Sequence, residues 1–195
     1  MDALTQQLMQ QLSGSGLSQI SKSIGADEKA TRSALSTAMP LLVSALANNA
    51  SKPKGAQALH QALAEDHDGS IFDDMAGFLK DPQAANGAGI LGHVLGTKQT
   101  AINQGLAKSS GLNMGQIGQL LQIVAPLIMG ALGKQQQNRG FDVGSLTDFL
   151  GGQRQQAQQS NPDLTDVLGS LLGSGQGRSG LGSVLGTLGK LFRKQ

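Results

Sequence analysis

The chain has 195 residues, with 28 Gly, five Phe and no Trp, Tyr or Cys, and its 15 Lys and Arg against 13 Asp and Glu leave a formal charge of +2. The missing cysteines exclude disulfides and thiolate metal sites and fit a reducing, cytoplasmic location. The length suffices for a real core, but one built from aliphatic side chains, which suits helices packed through small residues. Residues 1–150 carry 10 Lys and Arg against 11 Asp and Glu, whereas residues 151–195 carry 5 against 2, so a near-neutral body precedes a basic tail.

The opening MDALTQQLMQQL lacks a basic start and a continuous apolar run, so it does not read as a secretory signal. Leu4, Leu8 and Leu12 predict a helix over 2–12 that ends at Ser13-Gly14. Leu17, Ile20 and Ile24 predict the next. Gly25 then stands where a left-handed helix cap belongs, and Asp27 where a carboxylate accepts the first amides of a new helix. That new helix has apolar or small residues at 30, 34, 35, 38, 41, 42, 45 and 46, a stripe wide enough for a central element. Pro40 interrupts it, which predicts a kink or a break.

Beyond a polar corner at 48–54, helices are expected over 55–65 and 70–80, the second stopped before Pro82. Further helices are expected at 97–110 and 114–133, with a short last one around Leu146, Phe149 and Leu150. Residues 20–46 and 106–132 align without a gap at an offset of 86, pairing Gly25 with Gly111, Asp27 with Asn113, Leu35 with Leu121 and Pro40 with Pro126. This predicts a duplicated helical module, with repeats at about 20–80 and 106–150 whose Pro-bent central helices pack together. In the second copy, Gln116 three residues after Asn113 completes a capping box. The longest near-apolar run, 123–133, is too short to span a bilayer.

From Gly151 the composition turns to Gln, Gly, Ser and isolated Leu, which predicts a flexible tail over 151–195. Within it Leu181, Val184, Leu185, Leu188, Leu191 and Phe192 follow helical spacing, and L-x-x-V-L-G occurs at 91–96, 164–169 and 181–186. The tail glycines cost about 1 kcal/mol each against Ala, so these helices need a partner surface.

Four patterns invite a chemical reading. The corner ISKSIGADEKATRSALS resembles a DNA-reading helix-turn-helix, with Lys29 and Arg32 as the residues that would meet DNA. The body has no positive field to hold phosphates, which favours a plain helical corner. Gly87 to Gly92 matches G-x-G-x-x-G, yet no strand precedes it, and Gly133-Lys134 lacks the Ser or Thr of a phosphate loop. Asp66, His67, Asp68, Asp73 and Asp74 cluster, but their spacing fails the calcium loop. His93 reads as a surface or core-edge residue.

The stretches GADEKATRSALSTAMPLLVSALANNA, EDHDGSIFDDMAGFL, GAGILGHVLG and AKSSGLNMGQIGQLLQIVAPLIMGALG together resemble the bacterial YidB-like family, domain of unknown function 937. The resemblance covers roughly residues 1–150 and implies an all-helical bacterial domain; it brings no catalytic residue or cofactor. The expectation is an all-α, non-enzymatic module for protein interaction or self-association, without cofactor, metal or small-molecule substrate. DNA binding through Lys29 and Arg32 is one alternative. Weak membrane contact through the basic tail, with Lys190, Arg193 and Lys194 near lipid headgroups, is the other.

Overall fold

A computed structural model describes residues 3–160, and these form helices and turns with no strand, an all-α fold. The order is α1 (Ala3–Leu12), α2 (Ser15–Ile24), α3 (Glu28–Ala50), α4 (Pro53–Glu65), α5 (Met75–Lys80), α6 (Gly87–Leu95), α7 (Gln99–Ser110), α8 (Met114–Arg139) and α9 (Val143–Ser160). Short 3-10 turns lie at Ser70–Phe72, Pro82–Ala85 and Gly96–Lys98.

Two tight corners are built in the same way. Gly25 closes α2 with φ 65° and ψ 42°, and Asp27 opens α3 by accepting the Ala30 N–H at 2.9 Å. Gly111 closes α7 with φ 78°, and Asn113 opens α8 by accepting the Gln116 N–H at 2.9 Å. A left-handed backbone suits glycine, and the Asx side chains satisfy amides that a helix start leaves without partners.

α3 and α8 pack against each other at the centre, with α2, α4, α6, α7 and α9 around them. Leu35, Leu42, Leu46, Leu121, Ile128 and Leu132 are all buried, each contributing about 1.5–3 kcal/mol. The break considered at Pro40 is absent: α3 continues through Pro40, and α8 through Pro126. Both prolines are buried in the core, so tertiary packing outweighs the one lost helical hydrogen bond. Near Pro40 the Ser44 hydroxyl donates to the Pro40 carbonyl at 2.7 Å. The carbonyl that Pro126 leaves without its helical donor is that of Gln122, and Gly87 lies directly upon it, so closely that a side chain at 87 would collide with the oxygen.

Several elements differ from expectation: α8 runs on to Arg139, past the expected 133, and α6 was not among the expected helices. The predicted 70–80 helix is a 3-10 turn and then α5, because Asp74 accepts the Gly77 N–H at 2.8 Å and starts a new helix there. The expected corner at 48–54 shrinks to Ser51 and Lys52, since Pro53 opens α4 at a position where its missing N–H costs nothing. α9 runs through Gly151 and Gly152 to Ser160, past the change in composition. Its Leu146, Leu150, Gln153 and Ala157 are buried, and the Gln153 side chain accepts the Leu4 N–H at 3.4 Å. The tail stripe of Leu181, Val184, Leu185, Leu188, Leu191 and Phe192 lies outside the described residues.

Candidate binding cleft

A cleft of about 530 Å³ opens between the end of α3, the face of α4 and α6. Its floor is aliphatic: Leu46, Leu59, Ile90 and Met129 come from four different helices and are themselves 91% buried or more. Gly55, Ala58 and Ala62 give α4 a low wall, and Gly89, His93 and Val94 form the opposite wall on α6. Asn49, Lys52, Asp66, His67 and Asn86 make a polar rim.

Asn49 fixes the distance between two of these walls. Its Nδ2 donates to the carbonyls of His93 and Val94, both at 3.1 Å, and so caps the C-terminus of α6 from the last turn of α3. Asn86 enters α6 with φ 51°, the one positive φ at a non-glycine residue among the described residues. Asparagine tolerates that conformation better than other side chains.

The loop carrying Asp66 and His67 is held against α8 by two glycines. A side chain at Gly133 would strike the His67 carbonyl, and one at Gly130 would strike Ile71. Asp68 folds the loop by accepting the Ser70 N–H at 2.9 Å. The acidic cluster is thereby occupied with its own backbone: Asp68 and Asp74 each accept a main-chain amide, and the described residues include no group of three metal-ligating side chains. Burial pushes the His67 pKa below its ordinary value, with Asp66 pulling weakly the other way, so a neutral imidazole faces the cleft at pH 7. The Ser70 amide and hydroxyl hold the Asp68 carboxyl below its usual value.

The remaining predicted residues are dispersed. Lys29 and Arg32 are exposed on the first turns of α3. Gln116, which a DNA-reading α8 would present, is used internally: its Oε1 accepts the Asn113 N–H and its Nε2 donates to the Gly25 carbonyl at 2.7 Å. The G-x-G-x-x-G string at 87–92 lies on α6, so it is a helix-packing sequence here. His60 is structural, its Nε2–H donating to the Phe141 carbonyl at 2.9 Å, beside Arg139 stacked on the rings of Phe141 and Phe149. Among the described residues α8 is the one helix long and apolar enough to cross a membrane, and 72% of its apolar window is buried inside the protein.

Sequence reading missed the cleft. Its lining spans positions 46 to 129 and has no shared period, and Asn49 and Lys52 looked like an ordinary polar corner. The small-residue spacing of Gly55, Ala58 and Ala62 on α4 was the available signal.

Searches of curated proteins and of solved structures give no match to this chain. The family described as bacterial protein of unknown function (DUF937) matches residues 6–135, the stretch that contains both corners, α3, most of α8 and the cleft. The chain belongs to that family.

Proposed function

We propose that this protein is a non-enzymatic interaction module, and that the cleft between α4 and α6 receives aliphatic side chains from a partner polypeptide. The observation that carries this reading is the contrast between the cleft and the rest of the surface. Among the described residues Met114, at 41%, is the one large apolar side chain that is exposed, while Ile71, Phe72, Met75 and Phe78 are partly buried against the core. The cleft gathers an aliphatic floor from four helices, and its rim of Asn, Lys, Asp and His suits the polar backbone of a bound chain. Its lining has imidazoles but no Ser, Thr or Cys to serve as a nucleophile beside them, which favours binding over covalent chemistry. Ala58→Trp fills the exposed mouth without touching the core. Quantitative capture of proteins from the native host should lose a defined set of partners with this variant, while its melting temperature stays that of the parent. Equal capture by both forms would remove the cleft from the account.

A further inference from the structure

A second pocket, of about 450 Å³, lies where α2, α5 and the start of α6 meet α8. Its polar side chains are uncommitted. At the starts of α3, α5, α8 and α9, the side chains of Asp27, Asp74, Asn113 and Asp142 each accept a main-chain amide. Two Asx residues at such positions do not. Asp81 opens the Pro82–Ala85 turn and Asn86 opens α6, and neither side chain caps its helix. Both line this pocket. Gln83, Gln119 and Gln122 line it too, and their carboxamides form no hydrogen bond with another described residue. The Ser23 hydroxyl is equally unspent, and Lys80 and Asp81 pair neither with each other nor with another described residue. The main chain behind these groups is nevertheless fixed. The Asp81 N–H donates to the Gly77 and Phe78 carbonyls at 3.3 and 3.2 Å, the Asn86 N–H donates to the Gln83 carbonyl at 3.1 Å, and Gly87 is pressed on the Gln122 carbonyl. A pinned backbone that presents unspent polar groups lowers the ordering cost of binding a ligand.

We infer that this pocket binds a neutral, polyhydroxylated small molecule of the sugar class. Its charged members are one cation, Lys80, and one anion, Asp81, so a ligand of either net charge gains at one and loses at the other. The other polar members are mostly carboxamides, each of which presents donors and an acceptor side by side. A hydroxyl answers both from a single atom, and a ring of hydroxyls does so at several points along the wall. Pro82, Ala88 and Ile123 add apolar atoms to the lining, which the C–H face of such a ring can cover. The volume lies in the range of small-molecule sites. The pocket shares Asn86 alone with the aliphatic cleft, and its ligand stands independently of what the cleft binds.

Amide NMR of the full chain tests it, because the side-chain amides of Gln and Asn give their own signals. Glucose, galactose, mannose and N-acetylglucosamine are titrated separately, with inorganic phosphate and methylammonium as charged controls. At least one sugar should shift the side-chain amide signals of Gln83, Gln119 and Gln122 saturably, with a Kd of about 10 mM or tighter. Those of Asn113 and Gln116, which are spent within the fold, should stay in place. Asp81→Ala and Gln119→Ala each replace an exposed side chain that holds no other described residue. Each should weaken that sugar about five-fold or more, whereas Ala58→Trp, in the cleft, should bind it as the parent does. The inference would be overturned by the absence of a saturable shift with all of these sugars, or by parental affinity in both Asp81→Ala and Gln119→Ala. A larger response to phosphate or methylammonium than to any sugar would overturn it as well.

Discussion

Gln116 joins the two helical corners: its Oε1 accepts the Asn113 N–H at 3.0 Å while its Nε2 donates to the Gly25 carbonyl at 2.7 Å, across 91 residues of chain. One side chain thus completes its own helix cap and fixes the corner of α2 and α3 against the corner of α7 and α8. Gln116→Ala removes both bonds and should cost about 1–2 kcal/mol. Gln116→Glu keeps the acceptor for Asn113 but sets a carboxylate against the Gly25 carbonyl, so it too should lower the urea midpoint. A Gln116→Glu protein as stable as the parent would show that the bond to Gly25 contributes nothing.

Glycine substitutions separate close approach from helix propensity. Gly133→Ala drives a methyl into the His67 carbonyl, and Gly87→Ala drives one into the Gln122 carbonyl, with backbone on both sides and no flexible neighbour to yield. Each should destabilise by about 1–3 kcal/mol or more. Gly92 sits in α6 with open space where a side chain would go. Gly92→Ala should therefore stabilise by about 0.5–1 kcal/mol. Thermal melts of the three variants give the ranking, and a stabilised Gly133→Ala would contradict the packing described.

How much of this was legible in the sequence depends on the range over which each feature is determined. Gly25, Asp27, Gly111, Asn113 and Gln116 announced the corners because caps depend on two to four neighbouring residues. A helix through Pro126 was expected, but whether Pro40 kinks or breaks α3 was not legible, since it rests on a core contributed by the whole chain. The extent of α9 was hidden by composition: QRQQAQQ looks like a linker, yet Gln and Ala are good helix formers, Ala157 is buried, and Gln153 accepts the Leu4 N–H. The floor of the cleft was not legible, because four separated helices each contribute one residue to it; the small residues Gly55, Ala58 and Ala62 marked one wall alone.

Leu121 is fully buried in α8. Leu121→Ala should cost roughly 2–5 kcal/mol, measured as a shift in urea midpoint at constant slope. A loss below about 1 kcal/mol would mean that the central helices are not packed as described.

The pH dependence has a definite sign. Burial lowers the His67 pKa in the folded state from 6.5, so its contribution to stability is whole above that unfolded value and is lost as pH falls below it toward the folded value. Asp68 and Asp142 are also lowered, from 3.8, by the Ser70 and Ser145 groups respectively, and add a second loss below pH 3.8. Stability should therefore drop as pH falls through and below 6.5, and His67→Gln should flatten that drop while leaving the acid limb in place. An unchanged slope in His67→Gln would assign the titration elsewhere.

The central claim is that an aliphatic floor in the cleft receives a partner, and methyl NMR of the full chain measures it most directly. On titration with a polypeptide captured by the parent and not by Ala58→Trp, the Met129, Leu46, Leu59 and Ile90 methyl signals should shift together. The buried methyls of Leu4, Leu8 and Leu12, in α1, should stay in place. Shifts confined to residues outside the cleft, with the Met129 methyl unmoved at saturation, would contradict the account.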